Sequence, residues 1–143
     1  MARMQVSKDL IFMGADLLRP RMTVEQEKMK SRFPNFQFYA QNGRVNSVKG
    51  YLETSYNNSY YVKILISSNY PYDMPKIELP YTSIDSACPH IYTNDRLCVM
   101  KSDQWTTTYS IAFMVGKTAV WLNKYDSWKR KGKIRWPGND QHR

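Results

Sequence analysis

The sequence is poor in the residues that build covalent or metal-held scaffolds. Its 143 residues include only two cysteines and two histidines. Two cysteines cannot make a disulfide framework. The step from Cys88 to Cys98 is not the spacing of a zinc knuckle, and the histidines leave few further ligands. No metal or other cofactor is expected, while a Cys88–Cys98 disulfide stays open as an oxidised form. Long apolar runs are also missing, and none approaches the roughly 20 residues that cross a bilayer. The first residues lack a charged-then-apolar leader. Cytoplasmic residence with no membrane partner is therefore expected. Internal repeats and low-complexity segments are absent as well.

Acidic residues are outnumbered, 12 Asp and Glu against 21 Lys and Arg, for a formal net charge of +9. The excess gathers late in the chain, in Lys129-Arg130-Lys131, Lys133, Arg135 and Arg143. Three readings compete: a solvated tail, a docking surface for an acidic protein, and non-specific attraction to nucleic-acid phosphates. No zinc finger or helix-turn-helix pattern accompanies the charge, so nucleic acid is the least favoured.

What is present suits one domain over residues 1–143, with 1–21 as an N-terminal extension and 129–143 as a basic tail. The hydrophobic content of 42% is enough for one core. Leu10, Met13 and Leu17 share a face of a short N-terminal helix that Pro20 would end. Thr23 and Gln26 have capping-box spacing, and the helix they start would stop near Arg32, before Phe33-Pro34. Alternation follows. Phe36, Phe38 and Ala40 alternate with polar or exposed neighbours, and Asn42-Gly43 is a hairpin signal. Strands are expected at 45–54 and 59–67 around an Asn57-Asn58 turn. A short edge strand at 76–79 is hemmed by Pro75 and Pro80. From Tyr109 the period becomes helical: Ile111, Met114, Val115, Thr118, Ala119, Leu122 and Tyr125 form an apolar face, with Trp121 and Trp128 adding bulk. These are core positions. The outcome is an α+β domain, a four-stranded antiparallel meander with a long helix across it.

Chemistry concentrates in Cys88-Pro89-His90-Ile91-Tyr92-Thr93-Asn94-Asp95-Arg96-Leu97-Cys98. A thiol at the end of a polar turn is exposed to reactants, and a nearby imidazole can supply a hydrogen bond or a positive charge. The bland alternative is that Cys98 is a small buried hydrophobe.

This segment resembles the active-site loop of ubiquitin-conjugating enzymes, which carry His-Pro-Asn, a turn, and then a catalytic Cys between apolar residues. The His-Pro-Asn places hold Cys88, Pro89 and His90 here, and Leu97 and Val99 flank Cys98 as in the family. The family's turn glycine is replaced in the region of Asn94-Asp95. The likeness extends through Gly50-Tyr51-Leu52, 60–66, Tyr70-Pro71 and Met74-Pro75-Lys76-Ile77, covering roughly residues 22–128. It implies the ubiquitin-conjugating fold without the family's two closing helices. It also implies that Cys98 carries a partner protein's C-terminus as a thioester and passes it to an amine. The family's Asn is credited with ordering the loop and donating to the oxyanion. His90 either takes over that role or only ties down the loop. Cys88 packs where the family has a structural His, or acts as a redox partner of Cys98. Trp105 walls the cleft. Asp103 orients an incoming lysine or is simply solvated. The family's lysine-activating acid has no assigned match, Asp126 included.

The lost His and Asn, together with the ending 136–142, resemble bacterial members of the superfamily found in cyclic-oligonucleotide (CBASS) anti-phage operons. That resemblance implies a cGAS-like nucleotidyltransferase as partner through its C-terminus and, where one is used, an activating enzyme. A catalytically inactive binding scaffold and a basic nucleic-acid-binding domain are the alternatives.

Overall fold

The computed structural model describes residues 7–138. Four antiparallel strands lie in sequence order: β1 Gln37–Gln41, β2 Arg44–Glu53, β3 Ser59–Leu65 and β4 Lys76–Glu78. The meander follows from its turns. Asn42 and Gly43 both take positive φ, 55° and 76°, as a two-residue hairpin turn requires. Asn57, at φ 65°, does the same between β2 and β3. β4 is an edge strand, as its flanking prolines implied.

Alternation sets the two faces. Val48, Leu52, Tyr60, Val62, Ile64 and Ile77 are buried on one side. Against that core packs α2, Ile111–Arg130, whose buried Ile111, Met114, Val115, Leu122 and Tyr125 match the helical period. Ser110 caps it, with Oγ accepting from Phe113 N at 3.0 Å. No helix follows α2 among the described residues. Instead the chain folds back, and buried Trp136 meets Trp121 and Trp128. Gly50 is required where it stands, since a Cβ there would come within 2.4 Å of the Phe36 ring.

Two expectations need correction. The first is the N-terminal helix on Leu10, Met13 and Leu17. The chain makes two short 3-10 turns instead, Lys8–Leu10 and Gly14–Leu18. Gly14 breaks the winding at φ 58°, and Leu17 is 69% exposed. Phe12 is buried in its stead, its N–H donating to Thr108 O at 2.7 Å. The second concerns α1, Arg21–Arg32, which begins before Thr23, so the Thr23–Gln26 box lies inside the helix. Pro20, with φ fixed at −55°, leads into it without a side-chain cap.

α1 is joined to α2 through one carboxylate. Fully buried Glu25 accepts from Ile111 N at 2.8 Å, from Arg21 Nε at 3.1 Å and from the Tyr70 hydroxyl. An acid at a helix N-terminus satisfies a free N–H and complements the dipole. Among the described residues, no helix is long and apolar enough to cross a membrane. Residues 1–6 and 139–143, which include Arg143 of the basic tail and the end of the 136–142 resemblance, lie outside those described.

Candidate active site

The cysteine segment forms a small hairpin pinned at three points. Ile91 and Leu97 pair antiparallel, and Tyr92 N donates to Arg96 O at 2.9 Å. Asp95 takes the turn's left-handed conformation, φ 61°, in the region where the resembling family uses glycine. Leu97 N donates to Ile77 O at 2.9 Å, which fastens the hairpin to β4. Cys98 N donates to His90 O at 2.9 Å, and the same carbonyl accepts from Trp121 Nε1 at 3.2 Å. One carbonyl thus fixes the cysteine and anchors its loop to α2. His90 adopts φ 60°, a conformation in which His is enriched, and its ring meets Trp136 at a centroid distance of 5.1 Å.

Cys98 is less open than its turn suggested. It is 8% exposed, because it sits on the returning arm between buried Leu97 and Val99 rather than at the tip. Its sulfur lies beside the Tyr92 hydroxyl, which donates to Met100 O at 3.4 Å. Burial first, and then the neighbouring Cys98, push the Tyr92 hydroxyl up to about 12. It therefore keeps its proton at neutral pH and can donate to a thiolate. Tyr92 is 40% exposed, so the pair borders solvent.

Cys88 is in the opposite state. Half-buried, its thiol donates to Pro89 O at 3.1 Å. Burial, followed by the negative charge of Asp85, pushes it up to about 12. A thiol so placed stays protonated and unreactive at neutral pH. Both cysteines are free thiols.

The remaining candidates are spread out. Trp105 donates from Nε1 to Pro71 O at 2.8 Å and packs between the rings of Tyr70 and Tyr109. Asp103 is exposed in the 3-10 turn Ser102–Gln104. Asp126 is buried, accepting from Thr54 Oγ1 at 2.6 Å, Asn58 Nδ2 at 3.0 Å and the Tyr60 hydroxyl. It locks the β2–β3 turn onto α2, which accounts for an acid at that place without a catalytic role. Beside the hairpin a cavity of about 760 Å³ opens between Ser67, Asp73 and Lys76 on one side and Tyr92, Asn94 and Arg96 on the other.

Sequence reasoning missed Tyr92 as a partner of the sulfur, and Trp121 as the anchor of His90. Neither leaves a local signal: Tyr92 reaches Cys98 diagonally across a hairpin whose register the residues alone do not define. Among known families, the chain matches a family model described as Type II CBASS E2 protein over residues 25–143. No curated protein matches the chain.

Proposed function

The chain belongs to the Type II CBASS E2 proteins, E2-like proteins of anti-phage operons, and on that premise we propose that it is a thioester-forming transferase with Cys98 as nucleophile. The Cys98 thiolate attacks the carbonyl carbon of a partner's C-terminus that an activating enzyme has joined to a leaving group. A C–S bond forms and the leaving group departs with its electron pair. An amine then attacks the same carbon. The C–N bond forms, the C–S bond breaks, sulfur leaves as thiolate, and the amine's proton passes to a base or solvent. The operon context of the family favours a cGAS-like nucleotidyltransferase as the protein whose C-terminus is carried.

The observation that carries this reading is the pinned cysteine hairpin: Cys98 N is held on His90 O at 2.9 Å and that carbonyl is anchored by Trp121 Nε1, beside a Tyr92 hydroxyl that keeps its proton. In this account His90 takes the part of the family's Asn. Its carbonyl orders the loop, and its ring supplies the oxyanion donor. Cys88 and Pro89 shape the approach to His90. Trp105 and Asp103 border the route of the incoming amine.

The 8% exposure of Cys98 favours a second reading, a scaffold that binds the same partner without chemistry. Co-expression with the partner nucleotidyltransferase separates the two. The enzyme reading predicts a hydroxylamine-sensitive adduct that Cys98→Ala abolishes, Cys88→Ala retains, and His90→Ala forms slowly while staying folded. A stable complex without an adduct, indifferent to Cys98→Ala, would establish the scaffold instead.

A further inference from the structure

The sheet face turned away from α2 carries a cluster that the cysteine hairpin does not use. Successive cross-strand rungs set Lys49 opposite Lys63 and Tyr51 opposite Tyr61. Lys49 Nζ lies 4.6 Å from the Tyr39 ring centroid. The Tyr51 and Tyr61 rings are 4.9 Å apart and the Tyr61 and Tyr81 rings 5.3 Å, with Tyr39 beside Tyr61. Four tyrosines thus form one patch, yet Tyr51 stays 56% exposed and Tyr81 81% exposed.

This arrangement is costly for the protein alone. Like charges directly opposite in an antiparallel pair repel. Glu78, which pairs with Lys63 from β4, has its carboxylate on Arg96 at 3.6 Å. Among the described residues neither Lys49 nor Lys63 has an ion-pair partner. The other carboxylate of the face, Glu53, lies at its end opposite Ser59. Two adjacent unpaired cations call for an anion that spans both strands, and the uncovered rings call for flat apolar surfaces.

We propose that this face binds single-stranded nucleic acid, with phosphates against Lys49 and Lys63 and bases stacked on Tyr51 and Tyr81. Stacking rings beside tracking cations are the combination that holds single strands of any sequence. A duplex keeps its base faces inside and cannot use the tyrosines. An acidic peptide would answer the lysines but leave the rings unexplained. The site is separate from the basic stretch at the end of α2, whose Lys129, Arg130 and Lys131 are exposed on another element.

Fluorescence anisotropy of the full chain with a labelled single-stranded DNA of about 12 nucleotides, a length one small domain covers, tests this. Binding should weaken linearly in log salt. Lys49→Gln with Lys63→Gln should weaken it and lower the salt slope by roughly 1.4, at about 0.7 per phosphate contact on a single strand. Tyr51→Ala with Tyr81→Ala should weaken it roughly tenfold or more at unchanged slope. Both rings are exposed, and an unchanged melting temperature would confirm that the fold survives. Neutralising Lys129, Arg130 and Lys131 to Gln should leave these differences in place. The proposal fails if the strand does not bind, or if the tail substitutions alone abolish binding. It also fails if the lysine pair matters while the tyrosines do not, because that outcome marks plain electrostatic attraction to phosphate without a stacking site.

Discussion

At the scale of single residues, the two thiols differ through their neighbours. Burial first, and then the Asp85 carboxylate, keep the proton on Cys88, whose thiol donates to Pro89 O. Cys98 faces a hydroxyl that can donate to its thiolate. A hydrogen bond to a charged group contributes about 1.5–3 kcal/mol, so Tyr92→Phe should slow iodoacetamide alkylation of Cys98 at neutral pH about tenfold. Tyr92 itself titrates only near 12 and adds no inflection below that. Cys88 should resist alkylation in the folded protein until the pH nears 12. An unchanged Cys98 alkylation rate in Tyr92→Phe would leave the hydroxyl without a part in activating the thiol. Cys98, His90 and their spacing could be singled out from sequence because the residue types carry the chemistry. Tyr92 and Trp121 could not, because their part depends on which way two side chains cross between elements.

At the scale of elements, turn chemistry and periodicity were the legible signals. Asn42-Gly43 and Asn57 set hairpins where their tolerance of positive φ predicted them, and the apolar period from Ile111 gave α2. The segment before α1 misled because Leu10, Met13 and Leu17 have helical spacing while Gly14 prefers to turn. Glu25 was invisible for another reason. A glutamate in a helix reads as solvated, and its partner Ile111 lies far along the chain. Burial, the largest influence, raises the Glu25 carboxyl above its ordinary 4.5, against the lowering pull of Tyr70, the Ile111 N–H and Arg21. The folded state therefore holds this proton more tightly than the unfolded state. Its contribution is fully present below the unfolded pKa and is lost as pH rises through the folded one. Thermal melts from about pH 4 to 8 should show wild-type stability declining relative to Glu25→Gln over that interval. Glu25→Ala should cost about 3 kcal/mol at neutral pH, since it removes the ionic partner of Arg21 and leaves an N-terminal N–H of α2 unpaired, while Arg21 keeps its bonds to Thr107 O and Tyr109 O. A wild type that gains on Glu25→Gln as pH rises would contradict the assignment.

At the scale of the whole molecule, the fold fastens the cysteine hairpin from two sides, while buried Glu25 and Asp126 tie α2 to α1 and to the β2–β3 turn. β4 holds that hairpin through Ile77 O, and α2 holds it through Trp121. The chain after α2 is not simply a solvated tail within the described residues. Trp136 returns to the core beside His90, and Lys133 pairs with Asp85, the residue whose charge bears on Cys88. That return could not be read from a run of basic residues, because one tryptophan decides it. It also ties the stretch after α2 to the loop that presents Cys98.

On the proposed function, Cys98 carries another protein through a thioester. The direct measurement is the intact mass of the protein isolated from its own cell without reductant, wild type beside Cys98→Ala. The account predicts a protein-sized addition on the wild type, released by hydroxylamine and missing from Cys98→Ala, with the released mass identifying the partner. An unmodified mass in cells where the partner is present, or an addition that persists in Cys98→Ala, would contradict it.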